Sequence, residues 1–146
     1  MHVRLLVAGK PALAYAKSGV DEYLKRLRRY GHFELIHLKA GSSEKVSADL
    51  LEKSSGHYRI AMDERGKSLT TSQWADKFSE LEMRGDIKNV SFLIGASDGH
   101  TEALRRHADA VWQLSSLTLQ HELALVVLLE QLYRVATFRR GEPYHR

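Results

Sequence analysis

Two hydrophobic periods take turns along this chain. The runs "HVRLLVA" (His2 to Ala8), "FELIHLK" (Phe33 to Lys39), "HYRIAM" (His57 to Met62) and "NVSFLIG" (Asn89 to Gly95) are short, apolar or alternating, and predict β-strands. "AVWQL" (Ala110 to Leu114) is a weaker fifth. Between them the spacing changes to three and four. Leu13, Ala16, Val20, Tyr23, Leu24 and Leu27 share one helical face, and Trp74, Phe78 and Leu81 point inward from a helix predicted over Ser72 to Arg84. Shorter helices are predicted over Ser47 to Lys53 and Thr101 to His107. The last helix, Glu122 to about Arg139, is apolar almost all round in its first half and should be buried on several sides, with a partner subunit as one candidate cover.

Strands alternating with helices predict an α/β domain with a mostly parallel sheet and helices on both faces. In such sheets ligands bind beyond the carboxyl ends of the strands. Three segments should meet there: Met62 to Gly66, Gly95 to Gly99 and Leu114 to His121. "AGSSEKVS" (Ala40 to Ser47) reads as a mobile loop.

The length of 146 residues fits a single domain over residues 1–146 with one core. There is no cysteine, which excludes a disulfide framework, a thiolate zinc site and a cysteine nucleophile, and makes the cytoplasm the default compartment. The longest apolar run, Leu123 to Leu129, is far shorter than the roughly 20 residues that span a bilayer. No membrane partner is expected. Net charge is +4, and basic residues gather with aromatics in "YLKRLRRY" (Tyr23 to Tyr30) and "YRVATFRRGEPYHR" (Tyr133 to Arg146). Guanidinium groups meet phosphates while rings stack on splayed bases, so this mixture suits RNA; a solvated helix face explains it equally well.

The turn "GASDG" (Gly95 to Gly99) directly follows an apolar strand. It lacks the Gly-Lys-Ser/Thr ending of a phosphate-binding loop, and it has two glycines, late in the chain, where a dinucleotide fingerprint needs three. Tight-turn geometry alone would explain Gly95 and Gly99. The following "LSSLTLQHE" (Leu114 to Glu122) is polar, hydroxyl-rich and poor in charge, and so is suited to the edge of a neutral ring. Two neighbouring strand ends would then line one pocket.

Read in order, "VRLLVAGK", "LIGASDG", "LSSLTLQH" and "LLEQLYRVATFRRGEPYH" resemble, over essentially the full length, the SPOUT-class methyltransferases that modify N3 of a pseudouridine in bacterial large-subunit (23S) ribosomal RNA. The resemblance implies a deep trefoil knot at the carboxyl end, a homodimer, S-adenosylmethionine as cofactor and the ribosome as partner, with no role for DNA. It places the cofactor against Met62, Gly95 and the run Leu114, Ser115, Ser116, Leu117, Thr118 and Leu119. Three positions depart from the family pattern: Ala96 for its second glycine, Gln120 for a proline and Leu125 for an arginine. Alanine held at positive φ would cost on the order of 1 kcal/mol. The missing arginine would remove a contact to the cofactor carboxylate or an RNA phosphate.

N3 of a pseudouridine carries a proton at neutral pH, so methyl transfer to it calls for a general base or a cation that stabilises the resulting anion. Tyr144, His145 and Arg146 are the expected catalytic residues, acting on the chain's own cofactor or across a dimer. Imidazole titrates near neutrality, which suits His145 to the base role. Glu130 and Arg134, four apart, are expected to pair on the last helix, and His121 to shape the loop before it. Two rival readings remain at this point: a knotted RNA-binding module without catalysis, and a nucleotide binder with the glycine turn on a phosphate.

Overall fold

The computed structural model describes residues 1–145, so Arg146, one of the three expected tail residues, lies outside the described residues. Ten elements alternate: β1 (His2–Ala8), α1 (Ala14–Leu27), β2 (His32–Leu38), α2 (Ser43–Lys53), β3 (Tyr58–Ser68), α3 (Thr71–Met83), β4 (Asn89–Ile94), α4 (Glu102–His107), β5 (Ala110–Gln113) and α5 (His121–Arg139). The strands form one parallel sheet in the order β2-β1-β4-β3-β5. The parallel sheet with helices on both faces is as expected.

Neighbouring residues along the central strands are buried on opposite faces, which is why these strands read as continuous apolar runs. Leu5, Ile60 and Phe92 meet α1, α3 and α5 in one core that includes Val20, Trp74, Phe78 and Leu129. Leu6, Ala61 and Leu93 meet α2 and α4 through Val46, Leu50 and Leu104. Trp112 is buried at the centre of an aromatic group, its ring 5.1 Å from that of Trp74 and 6.1 Å from that of Phe92, and so serves the core.

Two boundaries depart from expectation. The first turn of α2 lies inside the stretch expected to be a mobile loop, because Ser42 caps it by accepting from Lys45 N at 3.2 Å and Glu44 sits in the positive first turn. Strand β3 also continues beyond Met62. The chain leaves β5 after Met62↔Trp112, passes through Asp63–Gly66, and pairs again at Lys67↔Trp112 and Ser68↔Gln113. A bulge of this kind re-aims side chains at a sheet edge, here toward the carboxyl ends of the strands.

Helix α1 has no side-chain cap of its own. Glu122, on the first turn of α5, accepts from Ala12 N and from Leu13 N, the latter at 3.0 Å. This bond ties the start of α1 to the end of the Leu114–His121 loop and steadies one wall of the cleft described below.

Candidate functional site

The cleft lies beyond the carboxyl ends of β3, β4 and β5, has a volume of about 500 Å³, and is lined by all three segments expected to meet there. From the expected set, Met62, Gly95, Leu114, Ser115, Leu117, Thr118 and Leu119 line it. Ser116 does not; its side chain turns to solvent. The hydroxyl of Ser115 accepts from Leu117 N at 2.9 Å and holds the loop in shape. Among the described residues the N–H groups of Thr118 and Leu119 find no protein acceptor, so the loop offers free backbone donors to a ligand.

The two glycines of the turn serve different needs. Gly99 takes φ +91°, a conformation that favours glycine, whereas Gly95 is required for space: a Cβ there would stand 2.8 Å from His100 Nδ1. Among the described residues only glycines have positive φ, so Ala96 carries no left-handed strain and the expected penalty does not arise. Gln120 has φ −58° and caps α5, its Oε1 accepting from Leu123 N at 3.0 Å. Leu125 is buried in the core against the sheet and is not part of the cleft lining. The absent arginine therefore leaves no gap in this cleft.

Three residues of the site carried no individual signal in the pattern. Asp63, on the bulge of β3, is almost fully buried, with its side chain 4% exposed. It accepts from Arg65 N at 2.9 Å and from Arg65 Nε at 3.0 Å, and Arg105 Nη1 stands 3.8 Å away. Burial alone would raise its pKa, but the bonds and charge of Arg65 outweigh burial and hold the carboxyl below its ordinary value. His100, 4% exposed, shares its ring with Leu93 O at 3.0 Å through Nε2, while its Nδ1 is buried with no partner among the described residues. Because a carbonyl only accepts, Nε2 carries the proton and Nδ1 presents a lone pair beneath the glycine turn.

His100 is pushed below histidine's ordinary pKa, chiefly by burial; His57 is lowered by burial and then by the charges of Arg4 and Arg59. A base whose folded pKa is depressed contributes stability that is present above its unfolded value, about 6.5, and lost as pH falls toward the folded value. The thermal midpoint is expected to drop as pH is lowered from about 7.5 to about 5.5, and His100→Leu should flatten the slope. A midpoint with the same pH slope in both proteins would contradict this account of His100.

The tail lies elsewhere on α5. Tyr144 donates to Glu130 Oε2 at 2.8 Å, and Arg134 donates from Nη2 to the same carboxylate at 2.7 Å and from Nη1 to His145 Nδ1 at 3.3 Å. The ring of Tyr144 stands edge-on to Tyr133 at 4.7 Å under the Arg134 guanidinium. Tyr30 donates to Glu142 at 2.6 Å, a bond that with burial pushes its phenol up to about 12. Thus the expected Glu130–Arg134 pair forms and also anchors the tail. Neither Tyr144 nor His145 lines the cleft, whose α5 residues are His121, Ala124 and Leu128. His121 Nε2 stands 3.4 Å from Ala8 O, between β1 and the loop. Among the described residues no helix is long and apolar enough to cross a membrane.

The parallel sheet, with its cleft between a strand-end glycine turn and a polar loop leading into the last helix, agrees with the family that the sequence resembles. The chain belongs to that family: the description "Predicted SPOUT methyltransferase" matches residues 1–145. It is 47% identical over 146 residues to a ribosomal RNA large subunit methyltransferase H of Thermus thermophilus, covering 100% of this chain and 99% of that protein. The protein of the same name from Deinococcus radiodurans is 42% identical, with the same coverage. Among solved structures, a tRNA (m1G37) methyltransferase from Aquifex aeolicus matches at a TM-score of 0.57 and 14% identity, over 100% of this chain and 75% of that one, a likeness of fold.

Proposed function

We propose that this protein transfers a methyl group from S-adenosylmethionine to N3 of a pseudouridine in large-subunit ribosomal RNA, with the assembled ribosome as substrate. The observation that carries the proposal is the cleft itself. The expected cofactor residues converge at the strand ends, around a space in the size range of a small-molecule site, in a chain whose full-length relatives are named for rRNA methylation.

The residues fit the cofactor. Thr118 and Leu119 offer unpaired N–H groups to a ring edge, His100 Nδ1 is an orphaned acceptor beneath the turn, and the acidic side chains of Glu64 and Asp98 on the lining suit a cation. When bound, S-adenosylmethionine supplies an electrophilic methyl on a sulfonium, so no residue has to activate the electrophile. The chain's remaining tasks are to align the two reactants and to manage the N3 proton.

Tyr144, His145 and Arg146 carry that second task. His145 accepts from Arg134 at Nδ1, so its neutral ring presents an Nε2–H donor that can stabilise an anionic base through a carbonyl oxygen. Release of Arg134 would free Nδ1 to act as the base.

The separation of tail and cleft supports a homodimer. Leu123, Val127, Glu130, Arg134 and Phe138 recur at spacings of three and four along one stripe of α5, which is partly open to solvent. The tail rests on the second half of the stripe, while Leu123 and Val127 of the apolar first half are only half-buried. Two copies packed antiparallel along it would bring one tail to the other cleft. The knot is part of the same proposal: the chain returns across the ends of β3 and β4 from β5 into α5, which packs on α1 and α3.

Thermal denaturation with added ligands tests this reading. S-adenosylhomocysteine at about a hundredfold excess over its Kd should stabilise the protein by roughly 2.7 kcal/mol, and ATP should not. Stabilisation by ATP alone would favour a phosphate-binding turn, and by neither ligand, a non-catalytic module.

A further inference from the structure

Among the described residues the cleft has one formal cation on its lining, and it is held in place. Arg65 lies 59% exposed at the rim, yet three of its bonds run to Asp63: backbone N at 2.9 Å, Nε at 3.0 Å and Nη2 at 3.3 Å. Asp63 is itself buried, so the anchor is fixed. Its pairing with Nε and Nη2 occupies one edge of the guanidinium and leaves the Nη1 edge without a partner among the described residues. The guanidinium lies over the glycine turn, where a Cβ on Gly99 would stand 3.4 Å from Nη2. Long arginine side chains at a rim normally sample many rotamers; this one presents a fixed, half-satisfied fork to the cleft.

The charges around it indicate what it takes. The other charged lining residues are Asp63, already engaged, and Glu64 and Asp98, which form no ion pair among the described residues. A ligand with two cationic centres and one carboxylate matches this pattern of two free carboxylates and one free fork. The methionine end of S-adenosylmethionine has that composition: sulfonium, ammonium, carboxylate. The basic groups suited to RNA phosphates, Lys25, Arg26 and Arg29, stand apart from the cleft, near the end of α1. We infer that Arg65, positioned by Asp63, binds the carboxylate of the cofactor and sets its methionine end in register. The inference rests on the cofactor reading above.

Binding measurements on the full chain separate it from that reading. Two probes are titrated into wild type and Arg65→Met: S-adenosylhomocysteine, and S-adenosyl-3-thiopropylamine, which keeps ring, ribose, thioether and ammonium but lacks the carboxylate. Arg65→Met should weaken the first by about tenfold and leave the second unchanged. Arg65→Lys, which keeps the charge but loses the fork, should give an intermediate and equally selective loss, and stands in if removing the partner of buried Asp63 unfolds the Met variant. Equal weakening of both probes would overturn the inference by showing a structural role. Unchanged binding of both, with a raised KM for ribosomes, would overturn it in favour of an RNA phosphate. If wild type binds neither probe, it is the cofactor reading that fails.

Discussion

His145→Ala is expected to lower methyl transfer to ribosomes by about 10² to 10⁴, the usual contribution of a positioned proton-transfer group, while S-adenosylhomocysteine still binds. The His145 ring meets Arg134 and Phe138 on α5, and it is not among the residues that line its own cleft, so its removal should leave the cleft intact. The same geometry makes a sharper test possible. Gly95→Val drives a side chain into the buried His100 ring and so distorts the glycine turn of the cleft but keeps the tail; His145→Ala keeps the cleft but loses the tail. Mixed and allowed to exchange subunits, the two inactive proteins should regain activity, because a mixed dimer holds one intact cleft facing one intact tail. No recovery on mixing would mean that the tail serves its own subunit, and would overturn the antiparallel dimer.

The second large effect concerns stability. In Gly66→Ala the new Cβ would meet Trp112 C at 2.6 Å and both Trp112 N and Val111 C at 2.7 Å. All three are backbone atoms of β5, so no side-chain rotation relieves the clash, and β3 can no longer return to pair at Lys67 and Ser68. We expect a loss of roughly 3 kcal/mol, at the upper end of overpacking effects, and a midpoint lower by roughly 10 °C. Arg65 precedes this glycine, so the rim of the cleft should be disturbed as well. Gly85→Ala is the control: nothing lies within 4 Å of a Cβ there and φ is not positive, so its effect should stay within about 0.5 kcal/mol. A Gly66→Ala protein as stable as the control would show that β3 and β5 can separate there without loss.

Periodicity alone disclosed the parallel sheet, because Leu5–Leu6, Ile60–Ala61 and Phe92–Leu93 must be apolar on both faces to lie between two helix layers. It also brought the three cleft segments to one end of the sheet, since that is where parallel strands finish. The return of β3 was not legible. Asp63 to Gly66 is charged and ends in glycine, and nothing in a polar tetrapeptide shows that the chain rejoins the same neighbour directly after it, at Lys67. The start of α2 had a signal, Ser42 followed by Glu44 in the first turn, that the serine-rich composition masked. Within or beside the three cleft segments Arg65 and His100 carried no individual signal for a different reason: one owes its position to a buried carboxylate two residues away, the other to the missing side chain at Gly95. The residues expected to hold the cofactor, and the expectation for the tail, came from family resemblance rather than from the pattern, and the structure brings all of the former but Ser116 to the cleft. Ser116, which the resemblance included, faces solvent because Ser115 turns the loop at that point.

The central claim, methylation of a ribosomal pseudouridine at N3, is tested most directly by incubating the protein with methyl-labelled S-adenosylmethionine and ribosomes from a strain lacking it, prepared with and without pseudouridine. Label should enter large-subunit rRNA of the pseudouridine-containing ribosomes alone and map to N3. Equal labelling of both ribosomes, or none on either despite cofactor binding, would contradict the account.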